Sequence, residues 1–490
     1  MPVTVAAWVR FHNIDAQPAF VDEGANILTA LDPRVRSMFE PLEQGRPWLA
    51  QLFKPAGWAA GHALEIARLM TASAGMLTLV TIGWILYQLR GRWAAFFGLT
   101  LWALMPLAVF HERMALQDPF VTALIAISLA LSIAGTTDNI HRGADWPWLM
   151  GAGFLFGAAF LLKISALLAL PWLGLIYLAV QRRHSKKISG RQIACIALGF
   201  ALPCFTLGFD LPRLGTHLGT YDALPQLTID GFLPSTIGRT TTWIGWYGGY
   251  GGWPLMLLVS SSILWALVQR DALVLNSALG WFISMPVAGL IYHNTYARYV
   301  LPDHLPLVIF VSLAFASAFN ERRKQRFIAG VVALMACTTW FRIDWKIDTS
   351  PIESGIPKSE IEQYFTGPWS GNGINQITNY LVLYAKKNQT ACVVFTHRFQ
   401  RPGCYGLMLA ELRHPEIGVI PIGIDKPKLL QMAKERLRET SNGRAAFFLL
   451  YEGSLFPVPA WLNQADVPVH LATTVDRGGG ENFSLYQFEL

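Results

Sequence analysis

Charge is scarce in this sequence. Charged residues are 14% of the 490-residue chain against 53% hydrophobic, and the mean hydropathy is +0.35. That balance excludes an ordinary soluble globular chain. Cysteine is scarce as well: the five present show no metal-ligand spacing, and Cys195, Cys204 and Cys337 lie in apolar stretches as inert thiols. No GxGxxG and no P-loop occurs, so nothing points to nucleotide binding. Internal repeats and low-complexity tracts are missing. No cleavable signal pattern is evident, since residues 1–9 are apolar but short and no charged region precedes them. The net charge of +7 does not argue for a nucleic-acid partner. Its cations sit mostly in short loops between apolar runs, where they set topology.

Long apolar runs are what the chain has. They recur through residues 62–341 at bilayer-spanning length, the pattern of a polytopic α-helical membrane protein. Ten spans are expected, at 63–88, 93–110, 119–135, 146–162, 164–180, 192–209, 252–268, 272–291, 301–319 and 327–341. The 18 tryptophans and 14 tyrosines suit interfacial belts and an aromatic-lined cavity. One set of loops carries Arg90, Arg92, Arg142, Arg182, Arg183, Lys186, Lys187, Arg191, Arg270, Arg322, Arg323, Lys324 and Arg326. The other carries Arg113, Lys163, Arg213, Arg239 and Arg298. The positive-inside rule assigns the richer set to the cytoplasm. The second set, a long loop at 210–251 and everything after residue 341 then face outward.

After Trp340 the composition becomes water-soluble. Helical patterns near 374–388, 403–412 and 426–439 each lead into a short apolar strand, at Cys392–Phe395, Ile417–Ile420 and Ala445–Leu450. The expectation is a membrane domain over 1–341 and a C-terminal α/β extracytoplasmic domain over 342–490. Cys392 and Cys404 are there either a disulfide or two buried thiols.

The outer face collects ionisable residues. The extended entry Phe20-Val21-Asp22-Glu23-Gly24 holds two adjacent acids before the first long span. Taken alone they read as a helix cap. His111-Glu112-Arg113 and Asp118 follow, then Lys163 at the end of a span. Next come Tyr292-His293-Asn294-Thr295-Tyr296-Ala297-Arg298-Tyr299, then Asp303 and His304. Ionisable groups at membrane depth are expensive and mark function by default. The plain alternative is structural pairing, Glu112 with Arg113 or Arg298 with Asp303. The glycine-rich Trp243–Trp253 stretch offers aromatic faces for a sugar or prenyl chain, or an interfacial anchor.

These clusters resemble the membrane glycosyltransferases that use polyprenyl-phosphate sugars, the GT-C type that includes protein O-mannosyltransferases and aminoarabinose–lipid A transferases. Asp22-Glu23 resembles the family's Asp-Glu. Gly45-Arg46-Pro47 through Ala67-Arg68-Leu69 resembles its "G-K-P-P … A-R-L", with Trp48 in place of a second proline. Glu112-Arg113 through Asp118 resembles "E-R … L-x-D". Gly157 through Lys163 resembles "G-x-x-x-L-x-K", and Arg298-Tyr299 with Pro302 resembles "R-Y-L-L-P". The likeness covers about residues 20–320 in order.

The resemblance implies inverting transfer of a hexosyl or pentosyl group from a polyprenyl-phosphate sugar to an acceptor hydroxyl. The acceptor would be a lipid, lipopolysaccharide or protein, at the outer face of the cytoplasmic membrane. It makes Asp22 the base and Glu23 its orienting neighbour or a cation ligand. Arg298 and Lys163 are the phosphate-binding candidates and Arg113 a weaker one. Asp118 and His111 are left for the acceptor or a metal, and a divalent cation is the one cofactor these acids leave open. His293 shares the ligand-or-structural alternative with His111. The family also has a span before Asp-Glu, so an upstream span is expected with residues 1–9 as its tail. Rival readings are a transporter or flippase of lipid-linked sugars and another lipid-linked sugar enzyme, such as a ligase or polymerase. Charges at span ends on one side, without two similar halves, speak against the transporter.

Overall fold

The computed structural model describes residues 1–38, 48–136, 146–184, 188–206, 229–291, 296–320, 323–396, 401–421, 431, 445–452, 468–478 and 480–488. Contacts gather them into two compact units. One comprises Met1–His12, Glu40–Leu49 and Leu69–Pro357; the other comprises Asn13–Phe39, Ala50–Arg68 and Lys358–Leu490. The boundary expected at residue 341 falls inside one continuous helix, Arg323–Thr349. Two N-terminal segments expected in the membrane domain group with the C-terminal residues instead. Their partners are distant in sequence: the helix Val21–Leu31 and the 3-10 segment Lys54–His62 both pack on the helix Pro402–Arg413. Composition cannot reveal a pairing across such a separation.

In the first unit every expected span contains a helix. Among the described residues six helices are long and apolar enough to cross a membrane: Ala63–Arg90, Ser165–Arg183, Thr236–Gln269, Ala272–Gly289, Ala297–Asn320 and Gln325–Thr349. Arg92–Leu104 and Pro106–Glu112 form an apolar helix pair bent by 60°. Pro106 opens the second half and Met105 before it is extended, the conformation a following proline imposes. Asp118–Ala134, Trp146–Leu162 and Gly190–Phe205 are shorter apolar helices. The chain is therefore a polytopic helical membrane protein.

Small residues let two of these helices touch. Gly153 and Gly157 form a G-x-x-x-G on Trp146–Leu162. A Cβ at Gly153 would stand 2.1 Å from the Ile196 carbonyl oxygen, and one at Gly157 would stand 2.5 Å from that of Phe200. Gly199 returns the contact against Met150. Close backbone approach of this kind is how helices associate where no hydrophobic effect drives them together.

The outer loop expected over 210–251 is not all loop. Residues 210–228 lie outside the described residues, but Ile229–Gln269 is helical with a break at Gly252, φ 60°. Pro254 denies the helix a donor at the break, and the Trp340 indole donates to the Gly251 carbonyl at 2.9 Å. The aromatic stretch is thus helical, with Trp243, Tyr247 and Tyr250 buried. Five glycines mask the helical periodicity there and read as loop.

In the second unit the expected helix–strand alternation appears as Ile374–Asn388, β1 Ala391–Thr396, Pro402–Arg413, β2 Ile417–Pro421 and β3 Ala445–Glu452. The charged helix expected near 426–439 lies outside the described residues, apart from residue 431. Two further strands were not anticipated, β4 Val469–Gly478 and β5 Glu481–Phe488. The sheet order is β2-β1-β3-β5-β4. The first three strands run parallel, and β5 and β4 add an antiparallel edge. Val393, Phe395, Ile420, Phe447, Leu449 and Phe488 fill one face. Cys392 and Cys404 are free buried thiols rather than a disulfide. Cys392 points to the Leu381 carbonyl and Cys404 to the Met408 sulfur, each into its own packing neighbour. Burial pushes both thiols up to about 12.

Candidate active site

The two acids stand on a helix, not on an extended entry. Phe20 is the extended N-cap of Val21–Leu31, which places Asp22 and Glu23 in the first turn. A carboxylate there is favoured by the free N–H groups and by the helix dipole. Glu23 takes that role. Its Oε2 accepts the Phe20 N–H at 2.9 Å, half of a capping box.

Arg68 then locks Glu23. It donates to Oε1 at 2.8 Å and to Oε2 at 2.7 Å, a forked pair with both side chains buried. The same guanidinium donates to the carbonyls of Ile14, Gln17 and Pro18. Arg68 thus fastens the segment leading into the helix to the helix start. Asp22 is half-buried and Glu23 is fully buried. Gly24 follows because a Cβ there would meet Tyr405 Cβ at 2.6 Å. Of the two acids, the second is committed to structure and the first remains accessible to solvent.

In the membrane unit Lys163, Asp118 and Tyr299 come together. Lys163 Nζ donates to Asp118 Oδ1 at 2.5 Å and sits 3.9 Å from the Tyr299 ring centroid. The Arg298 guanidinium lies 4.8 Å from the Tyr296 ring and 5.4 Å from Tyr299. Both cations are buried. Both contacts are of the cation–π kind, with the guanidinium against an aromatic ring. The short helix Ala297–Asp303 carries Arg298 and packs on Pro106–Glu112 and Asp118–Ala134. His111 is fully buried within electrostatic reach of Arg298, Lys163 and His304.

The rest of the second outer cluster is wired differently from the expected Glu112–Arg113 pair. Glu112 accepts from Arg10 Nε at 2.5 Å and from the Trp102 indole at 3.1 Å. Arg10 also donates to the Ala103 and Trp102 carbonyls, which the bend at Met105 leaves without helical partners. Arg113 donates to the Val9 and His12 carbonyls and pairs with Asp348 at 2.7 Å. Those contacts tie Arg113 to the N-terminal helix and to Arg323–Thr349. His293 and residues 45–47 of the glycine-arginine-proline motif lie outside the described residues.

Glu23 is held by Arg68, Asp118 by Lys163, and no group of three or more His, Cys, Asp or Glu able to hold a metal gathers among the described residues.

Comparison with known proteins bears on this arrangement. Residues 46–207 match the family model described as dolichyl-phosphate-mannose-protein mannosyltransferase. The crystal structure of ArnT from Cupriavidus metallidurans bound to undecaprenyl phosphate matches with a TM-score of 0.53 at 13% identity. The match covers 99% of this chain and 97% of that one. The chain has the fold of the polyprenyl-phosphate-dependent GT-C membrane glycosyltransferases. The apo form of the same ArnT matches at TM-score 0.51, also 13% identical, with 99% and 97% coverage. An oligosaccharyltransferase of Archaeoglobus fulgidus, in complex with zinc and sulfate, reaches 0.49 at 11% identity, over 92% of this chain and 67% of that one. No curated protein matches.

Arg68 and Arg10, which hold Glu23 and Glu112, were not among the candidates read from the sequence. Arg68 had a signal, its place in the quoted Ala67-Arg68-Leu69. Arg10 had none, because its partner lies 102 residues away.

Proposed function

We propose that this protein transfers a hexosyl or pentosyl group, with inversion, from a polyprenyl-phosphate sugar to an acceptor hydroxyl at the extracytoplasmic face of the inner membrane. The matched family's description names a dolichyl-phosphate-linked sugar, and the ArnT structure holds undecaprenyl phosphate. The observation that supports the reading is the unequal burial of the acid pair: Glu23 is fully buried against Arg68 and the Phe20 amide, and Asp22 is partly exposed beside it.

Asp22 takes the proton from the acceptor hydroxyl as that oxygen attacks the anomeric carbon. The bond from that carbon to the phosphate oxygen breaks, and polyprenyl phosphate leaves with the electron pair. A phosphate leaving group needs no strong acid, so cations to bear its charge suffice. Arg298 is the forked donor for that phosphate. Lys163, oriented by Asp118, adds a point charge. The acceptor is a lipid, lipopolysaccharide or protein. No step of this reading passes through a metal ion.

The test is transfer of label from a polyprenyl-phosphate sugar by the full chain in lipid nanodiscs, with mannosyl and aminoarabinosyl donors offered separately. Turnover of one donor is expected. In Arg298→Lys the charge survives and the fork does not, so turnover of that donor should fall at least tenfold with expression intact. Absence of turnover with either donor, in membranes supplying native acceptors, would count against the reading.

A further inference from the structure

The second unit contains a polar cavity of about 370 Å³ that the transfer chemistry does not use. Four stretches line it: residues 15–19, residues 61–65, the helix Ile374–Asn388 and the helix Pro402–Arg413. Asn375 and Asn379 present two amides one helical turn apart. Arg413 faces them from the other helix, and Asp15 and His62 complete the wall. The Thr378 hydroxyl is 93% buried by residue and meets no hydrogen-bond partner. Asp15, Asn375, Asn379 and Arg413 make no side-chain hydrogen bond or ion pair with a described residue.

The four are exposed to solvent and the Thr378 hydroxyl is buried without a described partner, so the concavity offers donors and acceptors of both kinds to a ligand rich in hydroxyls. Each amide offers a donor and an acceptor, the carboxylate accepts and the guanidinium donates. Adjacent hydroxyls of a sugar ring supply the matching pairs. Among the lining side chains Asp15 stands against Arg413, and Glu65 is taken up by His62 at 3.0 Å, so the cavity has no excess of cations to select a charged phosphate. A purely apolar group would leave every one of these atoms unsatisfied.

The position gives the cavity a meaning. Ala19 lines it and is three residues from Asp22, so their Cα atoms lie within about 11 Å. The lining segment is also the one whose Gln17 and Pro18 carbonyls Arg68 grips, together with Glu23. We propose that this cavity holds a neutral saccharide of the acceptor and so presents its reactive hydroxyl to Asp22. This rests on the glycosyltransferase reading above and assigns the acceptor a glycan portion.

The experiment is saturation-transfer NMR on the full chain in nanodiscs, with mannotetraose and maltotetraose as neutral probes and mannose 6-phosphate as the charged one. Saturation should reach ring protons of a neutral probe. Asn375→Ala/Asn379→Ala should abolish it with an unchanged melting temperature, since both side chains are exposed. In transfer assays the same variant should raise the acceptor KM about tenfold while donor KM and kcat stay constant. Failure of both neutral probes to bind, or binding that the double variant leaves unchanged, overturns the saccharide site. Preference for mannose 6-phosphate overturns its neutral character. Donor turnover without saccharide binding sinks the cavity alone, and saccharide binding without turnover of any donor sinks the transferase reading alone.

Discussion

Asp22 and Glu23 are chemically near-identical neighbours with different surroundings. Glu23 is buried against Arg68, so its charge is spent on holding the helix start. Asp22→Asn keeps size and most hydrogen bonding but cannot take a proton. It should lower transfer by roughly a hundredfold or more, the usual scale for a lost general base, with donor binding retained. Glu23→Gln should act on stability instead, because it leaves Arg68 buried without its anion; its melting temperature should drop while kcat per folded molecule falls less. Normal turnover in Asp22→Asn beside a folded, inactive Glu23→Gln would reverse the two assignments. A second titration belongs to Glu452 at the end of β3. Burial pushes its carboxyl up to about 7, against the opposing pull of Arg477, Arg401 and the Gly403 N–H, with Glu481 adding to the rise. A folded pKa above the ordinary carboxylate value means the neutral form is preferred in the native state. Its stability contribution is therefore complete below the ordinary value near 4.5 and is lost as pH rises through about 7. The melting temperature of this unit, followed in the intact chain, should decline between pH 5 and 8. Glu452→Gln keeps an acceptor for Gly403 and should flatten that decline; an unchanged slope would show that other groups cause it.

Among the elements, Trp146–Leu162 and Gly190–Thr206 show how composition becomes geometry. Three glycines remove the Cβ atoms that would collide with facing backbone, and a carbonyl cannot swing aside as a side chain can. Gly153→Leu should force these helices apart and lower the melting temperature of the protein in detergent. Overpacking of this kind costs about 1–3 kcal/mol or more. Ser128→Ala on the next helix is the control, because it deletes one hydrogen bond to the Ala152 carbonyl without adding volume. If Gly153→Leu melts no lower than Ser128→Ala, the two helices have room that the backbone positions deny. The helix pair bent at Met105 depends on a different device. Arg10 supplies donors to the carbonyls freed by the bend while pairing with Glu112, so one side chain satisfies groups from both halves.

For the whole molecule, the distribution of cations predicts orientation. Loops at 90–92, 182–191 and 322–326 should be cytoplasmic and the C-terminal residues external. Single cysteines placed at Arg182 and at exposed Lys387, in a chain otherwise free of cysteine, should react differently with a membrane-impermeant maleimide on intact cells. Only Lys387→Cys should label before lysis. Labelling of Arg182→Cys as well would invert or break the assigned topology. The same experiment bears on the proposed outer location of the acids, since Asn13–Phe39 shares its compact unit with residues 358–490.

The sequence by itself determined the class of this protein, for a simple reason. Burying backbone in lipid demands long apolar helices, and that demand is written in consecutive residues. Helix–strand alternation after residue 341 was legible on the same ground, since period and turn chemistry are local. The sequence also marked Asp22, Lys163 and Arg298 as candidates, because ionisable residues stand out against an apolar background. Tertiary structure alone decided what those residues touch. Glu112 chose Arg10 over its neighbour Arg113, and Arg113 chose Asp348, 235 residues on. Adjacent side chains on a helix point apart, so sequence neighbours seldom pair. Glu23 became a cap and Asp22 did not through the arrival of Arg68 from 45 residues downstream. The packing of the N-terminal segments on the helix Pro402–Arg413 was equally hidden, because it depends on fits such as a glycine at 24 against a tyrosine at 405. Shape complementarity between distant positions leaves no period in a single chain to read.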